Sequence, residues 1–308
     1  MRKTRIFIIF IFLPFFHAHC ILPADTVLLS KHINALSKTD GYRNYKNLDI
    51  LNEAAAYIYN CFSLYADTVY YQDYDVKGTT YKNVICSFGP SGASVIVIGA
   101  HYDVAGNQQG ADDNASGVAG LLELARMLKG EKLNFRIEIV AYSLEEPPYF
   151  KTEFMGSYVH ARSLYDKKAH VYGMICFDLI GYFSDEKKSQ KYPLPLLSLI
   201  YGRKGNFITL VNKFCKGPFA RRFTRKFRHV AEVRTKKFSG PKFIAGIDFS
   251  DHRNYWELGY SATFITNTAF YRNNNYHTAG DIPETLDYKR MAQVIDAVYD
   301  SILLLKKL

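Results

Sequence analysis

No Cys-x-x-Cys pair occurs among the five cysteines, so the chain lacks the spacing of a thiolate zinc site. It also lacks any apolar run long enough to span a bilayer as a helix. The most apolar stretch, Ile6 to Phe16, falls short of the roughly 20 residues required. No internal repeat and no low-complexity segment interrupts the remainder, which excludes solenoid and filament architectures. Acidic residues are outnumbered, 29 against 39 Lys and Arg. That imbalance is local. Between Phe183 and Lys242 there are 16 Lys and Arg against 3 Asp and Glu, and the rest of the chain is slightly acidic. A nucleic-acid-binding domain spreads its basic residues over a face of the fold, so no nucleic acid is expected as a partner.

What is present begins with a secretory signature. Arg2, Lys3 and Arg5 precede the apolar stretch, and Ala18 stands three positions before a cut after Cys20. Residues 1–20 therefore read as a signal peptide, with cleavage after Ala18 or lipid attachment at Cys20 as alternatives. The mature chain, 21–308, is then extracytoplasmic and forms one domain. Four cysteines remain in it, and sequence does not pair them.

The pattern of elements is that of an α/β protein. Thr26 to Leu36 and Leu48 to Phe62 have helical spacing, the second with Asn47 as its N-cap. Asp67–Tyr74 and Tyr81–Phe88 alternate around Lys77-Gly78 and predict a hairpin. The β-branched run Val95-Ile96-Val97-Ile98 predicts a buried strand over 94–100. A helix over 116–128, a strand over 135–142, a helix over 155–164 and a strand over 171–177 follow. Parallel strands joined by crossover helices bring their carboxyl ends to one edge, where ligands collect in open α/β sheets. Here each strand ends in a candidate ligand: His101, then Glu145-Glu146, then Asp178.

Residues 183–245 break this rhythm and read as a basic insertion or lid. Asn206 to Phe214 is predicted as a helix, and Phe219 to Phe227 as an amphipathic basic helix with its three Phe packed inward. Binding of an acidic surface or a lipid is the alternative use of this segment. The pattern resumes with a helix over 251–258, in which Asp251 reads as an N-cap, and a strand over 261–266. A final helix over 288–305 carries Met291, Val294, Ile295, Val298, Ile302 and Leu305 on one stripe.

His101, Asp113, Glu146, Asp178 and His277 form a His and carboxylate donor set without sulfur, which suits zinc. Five such donors suffice for two ions when one carboxylate is shared. Asp103 is placed to orient the ring of His101 through its second nitrogen.

Five motifs together carry a resemblance: His101-Tyr102-Asp103, Asp113-Asn114-Ala115-Ser116-Gly117, Glu145-Glu146, Phe177-Asp178 and Tyr276-His277-Thr278-Ala279-Gly280-Asp281. In this order they resemble the motif set of the co-catalytic zinc aminopeptidases. That superfamily also includes glutamate carboxypeptidases, transferrin receptors and glutaminyl cyclases. The resemblance implies a three-layer sandwich with a mixed, mostly parallel central sheet flanked by helices. It implies two Zn2+ per chain, one on His101 and Asp178, the other on Glu146 and His277, with Asp113 between them. Glu145 would be the general base and Tyr276 would steady the oxyanion, and the substrates would be peptides with a free N-terminus. The segment Pro147 to Thr152 departs from the usual short turn and is similar to that of glutaminyl cyclases, which use one zinc. A cyclase, or a non-catalytic binding ectodomain of the same fold, remains the alternative.

Overall fold

The computed structural model describes residues 23–305 apart from 216, 242 and 243. The expected signal peptide lies outside the described residues. The chain runs α1 (Thr26–Ser37), α2 (Leu48–Ser63), β1 (Thr68–Val76), β2 (Thr79–Phe88), β3 (Val95–His101), α3 (Gly117–Leu128), β4 (Arg136–Tyr142) and α4 (Gly156–Asp166). It continues through β5 (Val171–Phe177), α5 (Leu197–Tyr201), β6 (Ile208–Lys213), α6 (Gly217–Val230), β7 (Thr235–Gly240), α7 (His252–Glu257), β8 (Ala262–Thr266) and α8 (Tyr288–Leu305).

The eight strands form one sheet in the order β1-β2-β4-β3-β5-β8-β6-β7. The central neighbours β4, β3, β5 and β8 are parallel, while β1, β2 and β6 join antiparallel. Every residue of β3 is buried, as its unbroken apolar sequence requires. Ile96, Ile98 and Ala100 face the layer of α1, α2, α3, α6 and α8, and Val95 and Val97 face that of α4 and α7. The fold is therefore a mixed α/β sandwich of three layers.

Three local expectations need correction. Asn206–Phe214 is not a helix but contains β6, held between β7 and β8. Ile208 and Leu210 enter one core and Val211 the other. A strand apolar on both faces has no period to tell it from a buried helix. Asn47 stands at the N-cap of α2, but its side chain donates to the Tyr42 carbonyl instead of capping. Asp251 precedes α7 with helical backbone angles and makes no capping bond.

The basic segment also belongs to the sheet, supplying β6 and β7. The basic helix α6 lies on this scaffold with Phe219, Phe223 and Phe227 fully buried and Arg221, Arg222, Arg225 and Arg228 exposed. Gly173 on β5 lets it approach, since a Cβ there would lie 2.0 Å from the Phe219 ring. Phe223→Ala should therefore destabilise the protein by about 3–5 kcal/mol in denaturant unfolding. Arg225→Ala should change it by no more than about 0.5 kcal/mol. Equal effects would mean that the helix does not pack through its Phe stripe.

Candidate metal centre

Strand register fixes the first half of the site. His101 is the last residue of β3 and pairs with Tyr142 at the end of β4, while β5 ends one residue before Asp178. The backbone takes positive φ at Leu144 (61°) before Glu145, at Leu179 (57°) after Asp178, and at His277 itself (56°). Non-glycine residues adopt this region rarely, and it concentrates at functional sites.

Hydrogen bonds hold each turn. The Asp103 carboxylate accepts from the backbone N–H of Glu145 (3.1 Å) and of Glu146 (3.0 Å). His101 Nδ1 lies 3.2 Å from the Asp103 carbonyl oxygen and 3.6 Å from its carboxylate. Asp103 thus meets the imidazole chiefly through its backbone carbonyl, and its carboxylate clamps the glutamate pair.

Asp281 accepts from the N–H of Asp112 (2.8 Å) and of Asp113 (3.0 Å). Asp112 accepts from the Gly181 and Tyr182 amides and from the Asn267 and Asn273 side chains. The Asn114 side chain donates to the Phe177 carbonyl and accepts from the Leu179 N–H, which brackets Asp178 on both sides. Gly110 (φ 59°) opens this loop, where a Cβ would meet the Asp113 carbonyl oxygen at 2.3 Å.

All five predicted ligands converge. His101 Nε2 lies 3.4 Å from Asp113 Oδ1 and 3.6 Å from Asp178 Oδ1. His277 Nε2 lies 3.0 Å from Asp113 Oδ2 and 3.3 Å from Glu146 Oε1. Asp113 therefore turns one oxygen to each half. Zinc bonds of about 2.0–2.1 Å in a tetrahedron separate their ligand atoms by about 3.3 Å, and these separations fit. Asp113 Oδ2, Glu146 Oε1 and Asp178 Oδ1 are buried and accept no hydrogen bond, among the described residues. Buried carboxylate oxygens without a donor call for a partner, and a cation held by these donors supplies one. Glu145 lies beside His101 and Glu146, and Tyr276 stacks on the His277 ring at 3.8 Å.

The charges respond accordingly. Burial and the neighbouring Asp113 push Glu146 up to about 7 despite His277. Burial works against the charged ring of His277, yet Asp113 and Glu146 outweigh it and push it up to about 10. Burial holds Glu145 well above the carboxylate range.

Sequence reasoning passed over three residues of this network. Asn114 sits inside the motif that begins at Asp113 and Asp112 directly precedes it, and their signal was adjacency to Asp113. Asp251 was set aside, yet it is buried, and burial with Asp178 and Asp103 nearby pushes it up to about 7.

From the cluster a mainly apolar cavity of about 240 Å3 extends between Phe150, Tyr192, Phe207, Phe238, Phe249 and Phe270. Glu145, Glu146, Asp178 and Tyr276 stand at its floor.

Without metal, the native state holds protons on Glu146, Asp251 and His277 that the unfolded chain releases at lower pH. Native stability then falls as pH rises through this interval. Chelator-treated protein should melt at lower temperature at roughly pH 8 than at roughly pH 5.5, and zinc should remove most of that loss. A melting temperature that rises with pH in the stripped protein would contradict this.

Comparison with known proteins agrees with the geometry. Residues 83–302 match the model of peptidase family M28. The YfbL protein of Escherichia coli K12 is 42% identical over 278 residues, which cover 88% of this chain and 85% of that one. A probable leucine aminopeptidase of Arthroderma otae is 27% identical over 223 residues, 68% of this chain and 53% of that one. The chain thus spans about half the length of that relative. Among solved structures, LapA of Legionella pneumophila superimposes with a TM-score of 0.72 at 19% identity, covering 92% of this chain and 74% of that one. A glutaminyl cyclase of Bacteroides thetaiotaomicron gives 0.69 at 17%, covering 92% and 98%. At such identities these two speak for the fold alone. The family match spans most of the chain and coincides with the converged His and carboxylate cluster: the chain belongs to peptidase family M28 and is a zinc metallopeptidase.

Proposed function

We propose that the protein is a di-zinc aminopeptidase that removes bulky apolar residues from the N-termini of peptides outside the cytoplasm. The observation that carries this reading is Asp113, whose two oxygens serve two donor sets, His101 with Asp178 and Glu146 with His277. Zinc held by these residues would polarise the peptide carbonyl and bring the pKa of water towards about 7. Glu145, buried and facing the cavity, accepts the proton of the attacking water and returns it to the leaving amine. The Tyr276 side chain, fixed by its stack on His277, donates to the developing oxyanion.

The acidic floor suits an α-ammonium group, and the aromatic walls suit a large apolar side chain. The leader-like residues 2–20 support export. Two balanced donor halves favour this reading over a single-zinc cyclase.

Amino-acid anilides test the reaction and the pocket together. Leucine and phenylalanine anilides should be cleaved at least about ten-fold better than the glutamate compound. Activity confined to N-blocked peptides, or ammonia release from N-terminal Gln without cleavage, would sink the aminopeptidase reading. Glu145→Gln should keep both zinc ions and lower kcat by about 10²–10⁴. Asp113→Ala should lose both ions by elemental analysis, where loss of one alone would deny its shared role.

A further inference from the structure

The stretch between Lys191 and Lys204 is apolar on two opposite faces. Tyr192, Pro193, Leu197 and Tyr201 turn inward and line the cavity. Leu194, Leu196, Leu199 and Ile200 turn outward and are 52%, 69%, 75% and 68% exposed. The exposure does not come from a loose loop. The Tyr201 hydroxyl donates to the Lys237 carbonyl (3.0 Å), and that of Tyr192 to the Gly202 carbonyl (2.8 Å). Tyr192 stacks on Tyr201, which packs edge-on against Phe238. The Lys191 N–H donates to the Tyr271 carbonyl (2.7 Å). An anchored element that shows four adjacent aliphatic side chains to solvent is a contact surface.

The flanking charge identifies the contact. Lys187, Lys188, Lys191, Arg203, Lys204 and Lys237 are exposed around the aliphatic cluster. The only acidic residues between 184 and 204 are Asp185 and Glu186, and Asp185 is paired with Arg290. We propose that the Leu194–Ile200 face inserts into the headgroup region of an anionic phospholipid bilayer, with the surrounding Lys and Arg on the lipid phosphates. Short apolar insertion flanked by basic residues is how a protein lies on a membrane, and each basic side chain strengthens binding to an anionic surface by about five-fold. Among the described residues no helix is long and apolar enough to cross a membrane, so the contact is interfacial. A second copy of the chain fits less well. Four aliphatic side chains fall well short of the ~800 Å2 per partner of a stable interface, and a two-fold axis would set one basic ring against the other. The membrane contact stands apart from the aminopeptidase reading, but given that reading it places the outer wall of the substrate cavity at the lipid surface.

A site-specific reporter tests this on the full chain. The chain has one tryptophan, Trp256, which is 2% exposed, so the new tryptophan of Leu199→Trp supplies the signal. Vesicles of phosphatidylcholine with phosphatidylglycerol, brominated in the acyl chains, should shift its emission to the blue and quench it. Phosphatidylcholine alone should do neither, and roughly 0.5 M salt should reverse the effect. Leu64→Trp, at a position 62% exposed and outside this stretch, should stay unquenched even if the N-terminus tethers the chain. Changing Lys187, Lys188, Arg203 and Lys204 to Gln in the Leu199→Trp background should weaken vesicle affinity by about ten-fold or more. Should Leu199→Trp fold poorly, Leu194→Trp reports on the same face. Equal quenching at positions 64 and 199, or none at 199 and 194, would overturn the proposal. So would a dimer in sedimentation that Leu196→Ser/Leu199→Ser/Ile200→Ser dissolves, for then a second copy covers the face.

Discussion

Four carboxylates and an imidazole packed at the edge of a buried sheet repel, and lose hydration, more than any neighbouring side chain repays. His101, Asp113, Glu145, Glu146 and Asp178 are all buried. Three of their oxygens are left without a hydrogen-bond donor. Divalent charge compensates such a cluster, and without it a bare carboxylate in a low-dielectric interior takes up a proton instead. The upward shifts of Glu146 and His277 are that response in the protein alone.

Much of the surrounding architecture keeps these groups from relaxing apart. Parallel pairing of β3 with β4 and β5 sets the strand ends side by side. Backbone amides finish the task. Asp103 holds the turn that carries Glu145 and Glu146, Asp281 holds the turn that carries Asp113, and Asn114 spans Asp178. The holding groups bond mostly to backbone, so they fix position and leave the side-chain oxygens free. The apolar cavity then gives the cluster an opening on one side.

The five donors that converge were legible because each stands at a strand end or in a motif, so order along the chain maps onto one sheet edge. The three Phe of α6 were legible from their spacing alone. β6 was not, since burial on both faces erases the alternation that marks a strand. Asp251 misled because an acidic residue before a helix ordinarily caps it. The cavity left no local trace at all. Its walls come from Phe150, from Tyr192 to Tyr201, from Phe238 and from Phe249 to Phe270, which meet only after folding. For the same reason the spacing of residues 194–200 does not tell that Leu194, Leu196, Leu199 and Ile200 turn outward.

The central claim is that Asp113 stands between two metal ions, and anomalous X-ray diffraction at the zinc edge tests it most directly. Crystals grown with zinc should show two peaks about 3.5–4 Å apart, one beside His101 and Asp178 and one beside Glu146 and His277, with Asp113 touching both. A single peak at full occupancy under saturating zinc would contradict the account.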